Sequence, residues 1–398
     1  MTRYKPYLLG IIILLISFTV LFSMRKAYLY GDELIHYQTI KDFTDWNLSD
    51  QTFLRDAKLP GYPAAIAFFR KIFGAETIFE TRIINFLISS FCIYIFYLIS
   101  KLIDSKNSRI KTLQFFLFPL VFVFLFLLYT DILSLLLILL SFYLILKDRN
   151  TLSGIPAILS ILVRQNNVIW VFFLSLLILK KHKGSISLYF KNSWIYFIGI
   201  GSFSLFVLIN KGTSLGELNK TYQSASLHSE NFLFFLLVSF FIFLPEIIAN
   251  YKNIINLFSR KIVLLIVFIF LLIYVTTFRG DHPWNNILFD YYIRNGILRI
   301  ITRDLLIKTA FYIPMAISLV YLLSIKLHGE FKSLLYPFIA IFLIFSWLVD
   351  PRYYIIPFVF LLLLKHAESK KIEFVTIIYY MLLSFGIFFA TLNRIFFV

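Results

Sequence analysis

Apolar residues run through this chain in long unbroken stretches, without the alternation of a half-buried strand or the one-sided stripe of a surface helix. The runs fall at 7–23, 83–100, 113–129, 131–146, 153–163, 168–179, 194–210, 231–249, 262–278, 306–325, 333–348, 354–364 and 372–390. A helix of roughly 20 apolar residues crosses the hydrocarbon core, and an open strand edge has no hydrogen-bond partner there. The pattern therefore predicts an all-α polytopic membrane protein with about 11–13 transmembrane helices. It forms a single multi-pass domain over residues 1–398, with a long first external loop at 24–82. The runs at 153–163 and 354–364 are short and predict partial or re-entrant helices. Met1 to Phe22 is basic and then apolar, like a signal peptide, but Met24-Arg25-Lys26 follows where a small-residue cleavage site would stand. A retained first span is expected.

Composition sharpens the class. The chain is 60% hydrophobic and 15% charged, against roughly 45–50% and 25% in soluble domains. Its formal charge of +17 sits in short clusters between apolar runs, which is a topology signal and not a nucleic-acid surface. With the N-terminus in the cytoplasm, the cytoplasmic segments hold 20 basic and 6 acidic residues, and the opposite side holds 18 and 15. That asymmetry satisfies the positive-inside rule. The long connections 24–82, 211–230 and 279–305 then lie on the external or lumenal face. Long ordered loops carry function, so this is the expected working face. Sequons at Asn47 and Asn219 fall on the same side. The single cysteine, Cys92, excludes an intrachain disulfide and reads as a small buried hydrophobe.

Chemistry-capable residues gather at the ends of the apolar runs. Asp32 and Glu33 open the first external loop, with His36 one turn on. If a short helix begins here, its dipole favours the two acids, and spacings of three and four put His36 on a shared face with either carboxylate. Adjacent acids suit a general base with an orienting neighbour, or merely cap a helix in water. Leu59-Pro60-Gly61-Tyr62-Pro63 predicts a rigid turn leading into an amphipathic or re-entrant helix over 64–73. Arg164-Gln165-Asn166-Asn167 interrupts two short apolar runs with one charge and three amides. Polar residues at membrane depth mark function, and the Arg164 fork matches phosphate oxygens. Asp281 and His282, between Arg279 and Trp284, can hold a phosphate and a sugar ring, or form a solvated loop. Arg352 and Tyr353 stand together at a further external helix end. There is no phosphate-cradling glycine loop, no His-Glu-x-x-His and no cysteine pair, so neither a metal nor a cofactor is expected.

Several of these stretches resemble one family, the dolichyl-phosphate-glucose-dependent α-1,2-glucosyltransferases of the GT-C superfamily. Arg164-Gln165-Asn166-Asn167-Val168-Ile169-Trp170 is similar to the family's Arg-Gln-Thr-Asn-Ile-Ile-Trp. Arg352-Tyr353-Tyr354-Ile355-Ile356-Pro357 resembles its Arg-Tyr-Phe/Tyr-Ile-Leu/Ile-Pro, and Asp32-Glu33 with His36 its Asp-Glu-x-x-His. Pro60-Gly61-Tyr62 and Tyr129-Thr130-Asp131 resemble two further motifs in the family's order. The chain departs from the pattern around Asp281-His282, in having Gly216-Glu217 for Gly-Asp, and in a shorter stretch before Pro60.

The resemblance implies a GT-C-like bundle and transfer of glucose, with inversion, from a polyprenyl (dolichyl) phosphate donor to a hydroxyl of a lipid-linked oligosaccharide acceptor. It implies Asp32 or Glu33 as the base, and His36, Arg164, Gln165, Asn167, Asp281, His282, Arg352 and Tyr353 as donor-binding residues, all converging in one pocket. The implied location is the endoplasmic reticulum membrane with a lumenal site, or a bacterial inner membrane with a periplasmic site for a prokaryotic relative using another sugar and acceptor. A transporter or flippase of a lipid-linked sugar accounts for the spans equally well, but predicts repeated broken helices, and no motif recurs. An auxiliary subunit without chemistry predicts that the acidic pair can be changed freely.

Overall fold

A helix satisfies its own backbone, and the chain is built from little else. The structure, a computed structural model, describes residues 5–25, 28–55, 57–222, 226–285, 291–329 and 331–397, without the side chains of 5–9 and 218. Arg3, Lys26 and Glu330, which entered the sequence reading, lie outside the described residues. In order, the helices are α1 (Lys5–Ser23), α2 (Glu33–Thr44), α3 (Asp50–Arg55), α4 (Gly61–Phe73), α5 (Ile78–Ile103), α6 (Ser108–Phe116), α7 (Pro119–Phe122), α8 (Thr130–Leu146), α9 (Asn150–Val163), α10 (Val168–Lys181) and α11 (Ile186–Asn210). They continue with α12 (Glu217–Tyr222), α13 (Glu230–Ile242), α14 (Leu244–Ala249), α15 (Tyr251–Phe258), α16 (Lys261–Thr277), α17 (Ile293–Ile301), α18 (Leu305–Ser324), α19 (Lys332–Ile344), α20 (Ile355–Leu364) and α21 (Lys370–Leu392). Among the described residues there is no strand, only the isolated bridges Tyr292–Phe397 and Leu327–Lys365.

Helices α5, α11, α18 and α21 are each long and apolar enough to cross a membrane. Two bent pairs qualify when each is taken as one span, and six shorter apolar helices accompany them. The protein is thus an all-helical polytopic membrane protein. Large apolar side chains stand exposed on the long helices, such as Leu208 and Ile209 of α11 at 75% each. Exposure of that kind on a soluble protein would mark a binding patch; here it suits lipid.

Two runs that read as single spans are broken. Run 113–129 leaves helix after Phe116, resumes at Pro119 at a 56° angle, and passes through a one-turn 3-10 helix into irregular backbone up to Tyr129. Pro119 has no N–H and disfavours helix at the residue before it. Run 231–249 breaks at Phe243, with Pro245 in the first turn of α14, and α15 then meets α16 at 87°. The short runs stay short: α9 has 14 residues, and α20 has 10 behind a 3-10 turn at Pro351–Tyr354.

The chain divides into two compact units, one of Met1–Phe116 with Val121–Thr221, the other of Leu117–Leu120 with Tyr222–Val398. In the first, α8 packs against α5 and α9, α9 against α11, and α2 against α4. Gly61 begins α4 where a Cβ would come within 2.6 Å of the Leu162 carbonyl oxygen, so only glycine lets this turn rest on the end of α9. In the second, α18 packs against α13, α15 and α16, and α14 against α21.

Candidate functional site

The first unit builds its polar site around the break after α7. Backbone groups left outside a helix must find partners inside the membrane, and one face of α5 supplies them. Arg82, Asn85 and Ser89 recur at helical spacing. Ser89 donates to the Leu125 carbonyl at 2.8 Å and Asn85 Nδ2 to the Leu127 carbonyl at 2.8 Å. Arg82 reaches the same segment through Glu33, whose Oε1 accepts from the Leu128 N–H at 3.1 Å.

Glu33 and Arg82 are both fully buried. Arg82 Nε donates to Glu33 Oε1 at 2.9 Å and Nη2 to Oε2 at 2.6 Å, while Nη1 donates to the Met24 carbonyl at 3.1 Å. Nη2 also donates to the Tyr28 carbonyl, and Glu33 Oε2 accepts from the Tyr30 N–H. Every polar atom of the pair is therefore committed to the protein. A pair satisfied to this degree locks the 24–33 segment onto α5; removing one partner of such a pair costs about 3–5 kcal/mol.

Asp32 stands next to it in a different environment. It is the half-exposed N-cap of α2, as the sequence predicted for a helix beginning at this point. Its backbone N–H donates to Tyr129 Oη at 2.7 Å, and Tyr129 Oη donates to the Tyr30 carbonyl at 2.8 Å. His36 is buried, with its ring edge-on to Tyr129 at 5.4 Å and to Tyr62 at 5.9 Å. Tyr62 donates to Asn85 Oδ1 at 3.1 Å. Burial, then Glu33 and Asp131, push its hydroxyl well above the usual phenol range, so it remains a donor. Because both carboxylates act on Tyr62, the Asp32-Glu33 motif and the Asp131 region lie around one tyrosine.

Arg164 pairs with Asp131, both buried. Gln165 Nε2 donates to the Ala57 carbonyl at 3.0 Å. Asn167 Nδ2 donates to Ser134 Oγ at 2.7 Å and to the Ser160 carbonyl at 2.9 Å. This stretch forms a one-turn 3-10 helix between α9 and α10; Asn167 ties it to α8 and to the end of α9, and Gln165 ties it to the segment before α4. The atoms left over are acceptors or hydroxyls: Asp131 Oδ2, Thr130 Oγ1 and Asn167 Oδ1 are buried with no hydrogen-bond partner.

In the second unit, Asn231 and Asn285 clamp the irregular backbone before α20. Asn231 donates to the Ser346 and Leu348 carbonyls at 2.7 and 2.5 Å, and its Oδ1 accepts from the Asp350 N–H and Tyr354 Oη. Asn285 binds Val349 through both backbone groups, each at 2.9 Å. Asp350, so held, accepts from Arg352 Nε at 2.9 Å and Nη2 at 2.6 Å, and Arg294 Nη1 lies 3.5 Å from its other oxygen. Burial pushes the Asp350 carboxyl up, but the Arg294 and Arg352 guanidiniums outweigh it and hold it below the usual carboxylate range. It is ionised at any physiological pH.

The remaining sequence candidates divide here. His282 is fully buried. Its Nδ1 accepts from the Trp284 N–H at 3.0 Å, so Nε2 carries the proton and donates to the Tyr222 carbonyl at 2.8 Å. Burial lowers its pKa, which keeps the ring neutral, and Trp347 packs edge-on against it at 4.6 Å. Asp281 is exposed. Tyr353 is half-buried against Phe342. Arg82, Asn85, Asn231 and Arg294 were not picked out from sequence. Arg82 sits 49 residues from its partner, beyond the reach of local spacing; its signal was a charge in the first turns of a long span. No group of acids, histidines or cysteines that could hold a metal occurs among the described residues.

Fold and sites together define a polytopic, all-helical membrane protein with ion-paired polar clusters buried beside helix breaks. Residues 30–187 and 179–363 match the DIE2/ALG10 family, and the chain belongs to it. One relative, the Dol-P-Glc:Glc(2)Man(9)GlcNAc(2)-PP-Dol alpha-1,2-glucosyltransferase of Candida albicans, is 28% identical over 298 residues, covering 68% of this chain. The chain spans 65% of that relative's length. No solved structure matches.

Proposed function

We propose that this protein is a glycosyltransferase of lipid-linked oligosaccharide assembly, moving glucose from a dolichyl phosphate donor onto a hydroxyl of the growing glycan. Family membership and the relative's activity support the class. The observation that carries the chemistry is the contrast within one motif: Glu33 is committed to Arg82, while Asp32 is half-exposed and its backbone is fixed by Tyr129.

Inversion needs a base on the face opposite the leaving group, as in inverting glycosidases. In this reading Asp32 accepts the proton of the acceptor hydroxyl as that oxygen bonds to the anomeric carbon. The bond from that carbon to the phosphate oxygen breaks, and the polyprenyl phosphate leaves with the electron pair. The leaving group is a stable anion, so it needs cationic stabilisation more than protonation. In the second unit Arg352, ion-paired with Asp350, is assigned to the framework of a polyprenyl-phosphate site. In the first, Arg164 orders the Asp131 region, and the unpartnered acceptors Asp131 Oδ2 and Asn167 Oδ1 suit sugar hydroxyls. Glucose, an α-1,2 linkage and a lumenal site in the endoplasmic reticulum membrane complete the reading.

The test is incubation of the purified protein with dolichyl phosphate glucose and a lipid-linked oligosaccharide. Transfer of labelled glucose with inversion is expected. Glucose-independent translocation of the lipid, with no transfer, would replace this reading with a transporter.

A further inference from the structure

The second unit contains a buried guanidinium with hydrogen-bond donors that no protein group takes up. Arg294, on the first turn of α17, has a side chain only 4% exposed. Its Nη1 approaches Asp350 at 3.5 Å without forming a hydrogen bond, and both Nε and Nη1 have no hydrogen-bond partner. Tyr292 covers one face of the guanidinium at 4.1 Å. Arg352, in contrast, saturates Asp350 with its Nε, its Nη2 and its backbone N–H. Among the described residues, the buried cluster therefore holds two guanidiniums against one carboxylate. Asp281 is exposed and acts through space on His282, which is itself neutral and committed to backbone.

A buried guanidinium with idle donors is unfavourable unless something anionic completes it. Arginine presents a planar array of N–H groups that matches phosphate oxygens two at a time. We infer that Arg294 is an anion-binding residue that takes the phosphate of a polyprenyl-linked substrate, with Arg352 and Asp350 as the framework that holds the site rigid. Asp350 is the counter-charge that keeps Arg352 in place, and Arg294 supplies the positive charge in excess. This deepens the transferase reading and rests on it for the identity of the lipid. The phosphate can come from the monophosphate of the donor or the diphosphate of the acceptor, and the two are separable by experiment.

The test uses purified wild-type protein, Arg294→Gln, Arg294→Lys and, as a control on the same helix, Arg299→Gln at an exposed position. Each is titrated with farnesyl monophosphate, farnesyl diphosphate and inorganic phosphate, reading both binding and the ligand-induced rise in melting temperature. Arg294→Gln is expected to lose about 10–100-fold in affinity, Arg294→Lys to fall between, and Arg299→Gln to match wild type. The lipid showing the larger loss names the source, and an equal loss for inorganic phosphate assigns the site to the headgroup alone. Ligand-free Arg294→Gln should melt at or above wild type, because Arg352 still neutralises Asp350 and the idle buried donors of Arg294 are gone. Wild-type affinity for all probes in Arg294→Gln overturns the inference, as does ligand-free melting well below wild type, which would make the residue structural. Lost binding in a protein that performs no transfer keeps this site and removes the transferase reading; unaltered binding alongside robust transfer does the reverse.

Discussion

The two units solve the same problem with the same side chains and end in opposite electrostatic states. In each, an apolar stretch is broken, and asparagine side chains take up the stranded backbone: Asn85 at Leu127 in the first, Asn231 and Asn285 at 346–350 in the second. In each, buried arginine meets buried carboxylate. Arg82 and Glu33 engage every guanidinium nitrogen and carboxylate oxygen with each other and with four backbone groups. Arg294, Arg352 and Asp350 retain a net positive charge and idle donors. A closed cluster stabilises structure; an open one is arranged for something that is absent when the protein is alone. Burial of charge is thus a poor guide to function, and the state of satisfaction is a better one.

The comparison breaks most easily at Arg82. Arg82→Gln leaves Glu33 buried without its cation, and a loss of about 3–5 kcal/mol is expected. It should appear as a steep drop in melting temperature, while Arg294→Gln shows none; equal drops would erase the distinction between closed and open clusters. A smaller effect is expected for Asp131→Asn, which keeps an oxygen facing Arg164 but removes the charge. Hydrogen bonds to charged groups contribute about 1.5–3 kcal/mol, and denaturation of the solubilised variant should report a loss in that range. Wild-type stability would show that Arg164 does not depend on this pair. The smallest effect concerns His282. Its folded pKa lies below the ordinary value of about 6.5, so the unfolded chain takes up a proton first as pH falls. Stability from neutral His282 is therefore complete above about pH 6.5 and is lost as pH falls through the depressed folded value. Melting at pH 7.5 and 5.5 should differ less in His282→Asn than in wild type; an unchanged difference would place the pH sensitivity elsewhere.

Much of the architecture was legible because membrane helices obey local rules. The start of α2 at Asp32-Glu33, the turn at Pro60-Gly61 before α4 and the interruption at Arg164 all follow from residues adjacent in sequence. The break inside 113–129 was signalled by Pro119 but obscured by continuous apolar residues on either side, because hydropathy does not register a missing N–H. The pairing of Arg82 with Glu33 was not legible, since each reads locally as a flanking charge and only folding brings them together. Arg294 was hidden for a related reason: one arginine in a short helix carries no sign that its donors will be left idle. Gln165 and Asn167 show the converse: their amide groups read as ligand donors, and their N–H groups are spent on the segment before α4, on α8 and on the end of α9.

The division of labour between two adjacent acids is what the account turns on. Asp32→Asn and Glu33→Gln should be compared for glucose transfer and for melting temperature in the same preparation. Asp32→Asn is expected to fall by about 10²–10⁴-fold in turnover while melting like wild type, and Glu33→Gln to melt far lower and to keep turnover per folded molecule. An active Asp32→Asn, or a stable Glu33→Gln that has lost turnover, would contradict it.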